Sequence, residues 1–414
     1  MGLSHSPKVV TDGLILYYDQ GNTPKSWKGA PTTNLTSNLG IVAIQAAPTV
    51  TYVGIEDGWK KYSLNGTWSA GTYPYSIGID GVAFTGGVTY SSGVFIKTNV
   101  PAKFATLFTG MNYVNEPMNN GGTSFSILQP DGSKFVGRTG FQYTSTTTQT
   151  GYILSQPVVG QSFSSATDFV YIKDGQVETG SFTTPFTSGT RSNTQALLDL
   201  TNRNTITANS LSYASNNSFS FNGTNNSITV GQTLNYIPAL SNFTLETWIR
   251  VPAFPTAAAN NAYGQTDRAG VLFGAAYYSG AALYWNGNSA GTALNIFAFI
   301  RGQDAYRQTS SKSISLNTWT HLVMVNNYTA SLIQFYVDGV LFHETTGPSQ
   351  QYDSSLVPTA GNIGLCKAQI DGGGTSNYSN LNCEVPIARI YKDKALSAAE
   401  VRQNFNALRG RFGI

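Results

Sequence analysis

Almost every apolar run in this chain is short, alternates with polar residues, and is closed by Gly, Asn, Asp or Pro. A period of two sends alternate side chains to opposite faces of a strand, so such runs bury their apolar face only by stacking into sheets. Leu14–Tyr18, Thr89–Lys97, Phe125–Leu128 and Phe169–Ile172 read as strands of a first half. Phe219–Phe221, Phe243–Ile249, Ile296–Ile300, Thr320–Val325, Leu332–Val337 and Ile387–Tyr391 read as strands of a second. Between Val337 and Val340 stands Asp338-Gly339, a pair that tolerates positive φ and so predicts a type I′ hairpin. A single helix is signalled, near the C-terminus. Ser397 and Glu400 form a capping box, Leu396 can staple onto Val401, and Val401, Phe405 and Leu408 share one stripe that Gly410 would end. The fold class is therefore all-β: two β-sandwich domains plus a short C-terminal helix.

Length and charge narrow the class further. A chain of 414 residues has room for two or three domains with proper cores. Charged residues make up 11%, against about 25% in an average domain, while hydrophobic content is 41%. Ser, Thr, Asn, Gln and Gly must then cover the surface, a palette common in viral and extracellular β-proteins. The net charge is +3 and the basic residues are scattered, with no run longer than Lys60-Lys61. That excludes the electrostatic footprint of a nucleic-acid or anionic-lipid binder. Met1 to Asp19 lacks the flank and apolar stretch of a secretory signal, and no 18-residue apolar run exists, so membrane insertion is not expected. Synthesis and assembly in a cytoplasm follow as expectations. The two cysteines, Cys366 and Cys383, flank a Gly-rich loop and can meet across neighbouring strands, with a reduced pair the expected state.

The second half carries five signatures in order: Phe219 to Val230, Phe243 to Ile249, Asn317 to Val325, Phe335 to Leu341, and Ile387 to Ser397. This series resembles the laminin-G-like, concanavalin A-like jelly-roll superfamily over roughly residues 195 to 408. Trp248 and Trp319, inside alternating strands, are expected in the two-sheet core, and His321 as a structural histidine beside them. The opening Asp12 to Asn22 is similar to the first strand of bacteriophage and bacterial proteins bearing this jelly roll. In those proteins that strand is followed directly by a segment resembling Leu197 to Leu200. The resemblance implies three parts: an N-terminal strand segment over 1–32 pairing with the second domain, a β-sandwich over 33–192 inserted between, and the jelly roll with its helix over 193–414. The inserted part resembles carbohydrate-binding-module-like jelly rolls of phage structural proteins, on Asn34 to Asn38 and on Asp168 to Phe186 with Gly189 to Ser192. The final stretch, Asn404 to Ile414, resembles the C-termini of large-phage virion proteins.

An enzyme is not expected. Jelly-roll glycanases set carboxylates on alternate positions of one strand about 5 Å apart, and no such cluster exists here. Glu246 stands alone beside Trp248, Glu56-Asp57 lies in a Gly-flanked turn, and Gly287 to Gly291 reads as a small-residue turn rather than a nucleophile elbow. Aromatic residues that can stack on a pyranose are the glycan-contact candidates: Trp68, Tyr73 and Tyr75 in the first domain, and Tyr277, Tyr278 and Trp285 in the second. No cofactor is required. Calcium is the metal the superfamily resemblance allows, with Asp19 and Asn22 as its ligand candidates. These readings converge on a bacteriophage virion structural protein on the particle surface, as capsid decoration, head fibre or tail-fibre subunit. Its expected partners are other virion proteins of capsid or tail and host surface polysaccharide, met through multiple copies or a homo-oligomer. The alternative is a bacterial carbohydrate-binding adhesin module.

Overall fold

In a computed structural model of the protein, the strand Phe243–Arg250 shows how the alternation is used. Phe243, Leu245 and Ile249 face the core between two sheets, while Thr244, Glu246 and Trp248 face the other way. The structure describes residues 8–36, 40–43, 48–69, 77–106, 111–113, 122–142, 149–215, 218–223, 226–232, 240–255, 268–275, 280–288, 291–301, 306–346, 362–366 and 381–414. The chain divides into two units, Met1–Gly29 with Asn193–Ile414, and Ala30–Ser192.

In the larger unit, one sheet runs in space through Ser212–Ser215, Ser218–Asn222, Asn382–Lys392, Phe243–Arg250, Thr320–Asn327, Leu332–Val337 and Val340–Thr346. Leu14–Asp19 also pairs antiparallel with Asn382–Lys392, with Tyr17 opposite Arg389. The facing sheet runs through Thr207–Asn209, Ser227–Gln232, Asn362–Leu365, Arg268–Ala275, Gly280–Gly287, Leu294–Arg301 and Tyr306–Gln308. The chain crosses from the second sheet at Ser227–Gln232 to the first at Phe243–Arg250, back to the second at Arg268–Ala275, and to the first again at Thr320–Asn327, so each sheet joins strands from distant parts of the sequence. Between the sheets lie Leu16, Trp27, Phe221, Leu272, Trp285 and Phe335, all without exposed surface. Each such side chain contributes about 1.5–3 kcal/mol by leaving water. Asp338 and Gly339 have φ of 51° and 76°, the two positive values of a type I′ hairpin.

The first sheet carries a second layer on its outer face. The helix Ala398–Leu408 covers it and buries Val401, Asn404 and Phe405. The expected capping box is present: the Glu400 amide donates to the Ser397 hydroxyl, and the Glu400 carboxylate accepts from the Ser397 amide at 2.8 Å. Leu396 and Val401 share one apolar cluster. The helix does not end at Gly410. A 3-10 turn, Arg409–Phe412, continues it, and Gly413 at φ 73° supplies the left-handed stop. Ser397→Ala should therefore cost about 1 kcal/mol, read as a lower denaturation midpoint of the larger unit.

Trp248 also differs from expectation. It is fully buried, but beneath the helix rather than between the sheets, stacked on Phe405 at 5.7 Å and Phe412 at 4.2 Å. Trp319 is half-buried in the same outer cluster, with the Arg250 guanidinium 5.2 Å from its ring.

In the smaller unit, one sheet runs through Thr123–Leu128, Lys134–Gln142, Thr89–Thr98, Phe169–Thr179, Trp59–Thr67 and Ser162–Phe163, with Thr49–Glu56 paired to Trp59–Thr67. The other runs through Ile41–Ala43, Ile77–Phe84, Gln149–Pro157 and Phe104–Thr106, with Met111–Tyr113 paired to Gln149–Pro157. Tyr62, Leu64, Val94, Ile96 and Val170 of the first sheet meet Ile41, Val82, Phe84 and Phe104 of the second in one core. The strand read from the sequence as Phe169–Ile172 runs on to Thr179, past an irregularity that builds the site below.

Candidate functional site

The strand Phe169–Thr179 pairs Lys173 with Phe95 and Gln176 with Gly93, so Asp174 and Gly175 together oppose a single residue. This bulge places Asp174 at φ 50° and turns it out of the ladder. Asn34 fixes the bulge from the side. Its amide donates to the carbonyls of Gly175 and Thr187, each at 3.0 Å, and its oxygen accepts from the Val177 amide at 3.1 Å. The segment after the strand is held by a buried polar clamp. Gln176 donates to Glu178 at 2.8 Å and to the Thr184 hydroxyl at 2.9 Å, and accepts from the Thr187 amide at 2.7 Å. Glu178 accepts from the Thr184 amide at 2.6 Å. Arg191 donates to the Thr184 hydroxyl at 3.0 Å and to the carbonyls of Ala30, Pro185 and Phe186. Burial lowers the Arg191 guanidinium from its ordinary value, and the Glu178 charge opposes that fall. The stretch from Gln176 to Arg191 is thus a closure device, in which every buried polar group named here has a partner.

One product of that closure is a surface pocket of about 280 Å³. Ile55 and Phe186 supply apolar surface, being 70% and 45% exposed, while Lys60, Lys173, Asp174 and Ser188 supply charge and a hydroxyl. Gly58 joins the lining from the Asp57-Gly58 hairpin turn, where φ is 51° and 80°. An exposed ring beside ammonium, carboxylate and hydroxyl groups suits a small polyhydroxylated ligand: the ring meets an apolar face and the rest exchange hydrogen bonds. Asp174 is the one carboxylate in the lining, whereas glycoside hydrolysis needs a pair. The sequence placed Phe186 only at the end of the stretch that resembles carbohydrate-binding-module-like jelly rolls. Its signal was an aromatic residue directly after Pro185 in a Ser, Thr and Gly stretch.

The residues picked out from the sequence lie elsewhere. Trp68, 2% exposed, and Trp285, with no exposed surface, are core residues and cannot present a ring face to a sugar. Trp68 is pinned where its amide donates to the Gln161 carbonyl and its carbonyl accepts from Gly160, and Trp285 fills the space between the sheets of the larger unit. Tyr73, Tyr75, Tyr277 and Tyr278 lie outside the described residues. Asp19 is nearly buried, with its Oδ1 accepting from the Gly21 amide at 2.9 Å and from Arg411 at 2.5 Å. The Asn22 oxygen accepts from the Lys25 amide at 3.2 Å. A guanidinium already balances the carboxylate read as a cation ligand, and Asn22 caps a turn. No group of three His, Cys, Asp or Glu side chains with metal-binding spacing occurs among the described residues.

Glu246 and His321 belong to a sealed cluster under the helix. Glu246 accepts from Arg389 at 2.6 Å and Asn404 at 2.7 Å, and lies 2.9 Å from His321 Nε2, with all four side chains fully buried. Burial by itself raises the Glu246 carboxyl, but the Arg389 charge and the His321 and Asn404 hydrogen bonds outweigh it and hold the group below the ordinary carboxylate range. Asn404 also accepts from the Val10 amide at 2.7 Å, so the cluster ties sheet, helix and N-terminal segment together.

Residues 222–402, just under half of the chain, match the family model described as the concanavalin A-like lectin/glucanases superfamily. The larger unit thus carries a jelly-roll domain of the laminin-G-like, concanavalin A-like type. Among solved structures, the chain is similar to the binding domain of botulinum neurotoxin DC in complex with SialylT, with 13% identity and a TM-score of 0.35 over 52% of this chain and 50% of that one. It is also similar to the binding domain of botulinum neurotoxin serotype C1, with 14% identity and a TM-score of 0.36 over 52% and 51%. The serotype D binding domain matches at 14% identity and a TM-score of 0.34 over 51% and 49%. The chain spans about half the length of each. No curated protein matches.

Proposed function

We propose that this chain is a non-catalytic glycan-binding protein displayed on the surface of a bacteriophage particle, with the Phe186 pocket as its sugar site. The observation that carries the sugar reading is the pairing of an exposed ring and Ile55 with Lys60, Lys173, Asp174 and Ser188 in one pocket. A lectin-type jelly roll in the same chain supports it, although fold alone does not decide function. The virion placement rests on the 11% charge and on the resemblance of Asp168 to Ser192 and Asn404 to Ile414 to virion proteins. A pocket of this size takes one or two sugar rings, so affinity per copy is low and display in many copies makes it effective.

A glycan array followed by calorimetry on the full chain tests the sugar reading. Phe186→Ala should weaken the best array ligand at least tenfold, a loss of about 1.4 kcal/mol, and leave the denaturation midpoint nearly unchanged because the ring is half exposed. Unaltered affinity in that variant, or an array with no ligand, would overturn it. Placement is tested separately by labelling purified phage particles with an antibody to the chain: decorated heads or tails are expected, and bare particles sink that half of the proposal.

A further inference from the structure

The geometry points to a covalent modification site inside the larger unit: an intramolecular disulfide between Cys366 and Cys383 that joins its two sheets. Cys366 directly follows Asn362–Leu365 of one sheet, and Cys383 lies in Asn382–Lys392 of the other. Their Sγ atoms are 2.9 Å apart, and neither residue has exposed surface. A disulfide brings the sulfurs to about 2.05 Å, so closure needs a further movement of about 0.9 Å. Both ends are held in place. The Cys366 amide donates to the Leu272 carbonyl at 2.9 Å, and Cys383 is in register with Phe221 across the ladder. The surroundings are apolar, with Leu365, Leu381 and Val385 among the buried neighbours in sequence. Two thiols packed there gain little from facing each other, whereas a bond between them crosses the sandwich.

The oxidant is a small-molecule disulfide of the glutathione type. One cysteine thiolate attacks it and expels one small thiol. The second cysteine thiolate then attacks the mixed disulfide and expels the other. The two cysteines lose two protons and two electrons and gain one S–S bond, and the small disulfide is reduced to two thiols. Burial pushes the Cys383 thiol well above its ordinary range, as does its contact with Cys366, so the folded reduced protein holds little thiolate. Bond formation therefore belongs to folding or to opening of the sandwich, and the finished bond is equally shielded from reductant.

The test uses the full chain refolded from denaturant in oxidised and reduced glutathione, beside the same protein refolded in dithiothreitol. Each sample is blocked with N-ethylmaleimide under denaturing conditions, digested without reduction and weighed by mass spectrometry. The expected result is one linked peptide pair joining Cys366 to Cys383, two hydrogen masses lighter than the free pair, with neither cysteine alkylated. The oxidised sample should melt roughly 6–12 °C above the reduced one, from the entropy removed by closing a short loop in a domain of this size. Cys383→Ser should erase both differences. Both cysteines alkylated after oxidative refolding, glutathione adducts alone, or linkage only between chains would each overturn the inference. None of these outcomes touches the sugar reading.

Discussion

Replacing Arg389 with Leu should lower the unfolding free energy of the larger unit by about 3–5 kcal/mol at neutral pH, because it strands the fully buried Glu246 carboxylate without its charge partner. Asn404 and His321 would remain beside that carboxylate, but neither brings a permanent positive charge into a site closed to water. The double variant Glu246→Leu with Arg389→Leu should recover most of the loss, since removing both charges removes their desolvation cost together. The pH dependence follows from the direction of the Glu246 shift. Its carboxyl titrates lower in the folded protein than in the unfolded chain, so its contribution is fully present above the unfolded value and is lost as pH falls through the folded one. The difference between wild type and Arg389→Leu should be largest above about pH 5 and shrink below it. Urea denaturation at a series of pH values measures this. A penalty that stays constant down the acid side would show that the pair does not govern the stability of the helix-covered face.

Trp285→Ala should cost a further class of stability, about 3–5 kcal/mol, with no selective effect on ligand binding. The side chain lies in the inter-sheet core with Leu272, Phe273, Leu283 and Ile296, and leaves a cavity that these neighbours fill only in part. Trp285→Phe is the informative partner. The Trp285 indole N–H is buried without a hydrogen-bond acceptor among the described residues, so phenylalanine removes an unsatisfied donor along with some packing. Its cost should stay below about 1.5 kcal/mol. Comparable losses for the two variants would mean that the indole N–H has an unseen acceptor. A Trp285→Ala variant of normal stability would return this residue to the surface as a ring open to sugars.

The two tryptophans mark how far periodicity reaches. Trp248 and Trp285 each lie on a strand and each is fully buried, yet one packs under a helix and the other between sheets. Alternation tells which residues share a face, but which face is covered, and by what, depends on segments far along the chain. The stretch Gly280–Gly287 illustrates a different limit. Gly280, Ala281 and Ala282 have weak strand preference, and their strand is held by pairing to Arg268–Ala275 and Leu294–Arg301 rather than by local signal. The capping box and the Asp338-Gly339 hairpin were legible because each depends on neighbouring residues whose side chains act on their own backbone.

The candidate site was hidden for the same reason. Ile55 stands more than a hundred positions before Lys173 and Phe186, and no spacing rule joins the three. A bulge at Asp174-Gly175, the Asn34 bridge and the Arg191 clamp bring them to one pocket. The amino-acid sequence by itself determined the all-β class, the turn chemistry and the lone capped helix, since these arise from local periodicity and from side chains bonding to nearby backbone. Tertiary structure alone decided which aromatic rings face water and which carboxylates meet a guanidinium, because burial and charge pairing are properties of neighbours in space.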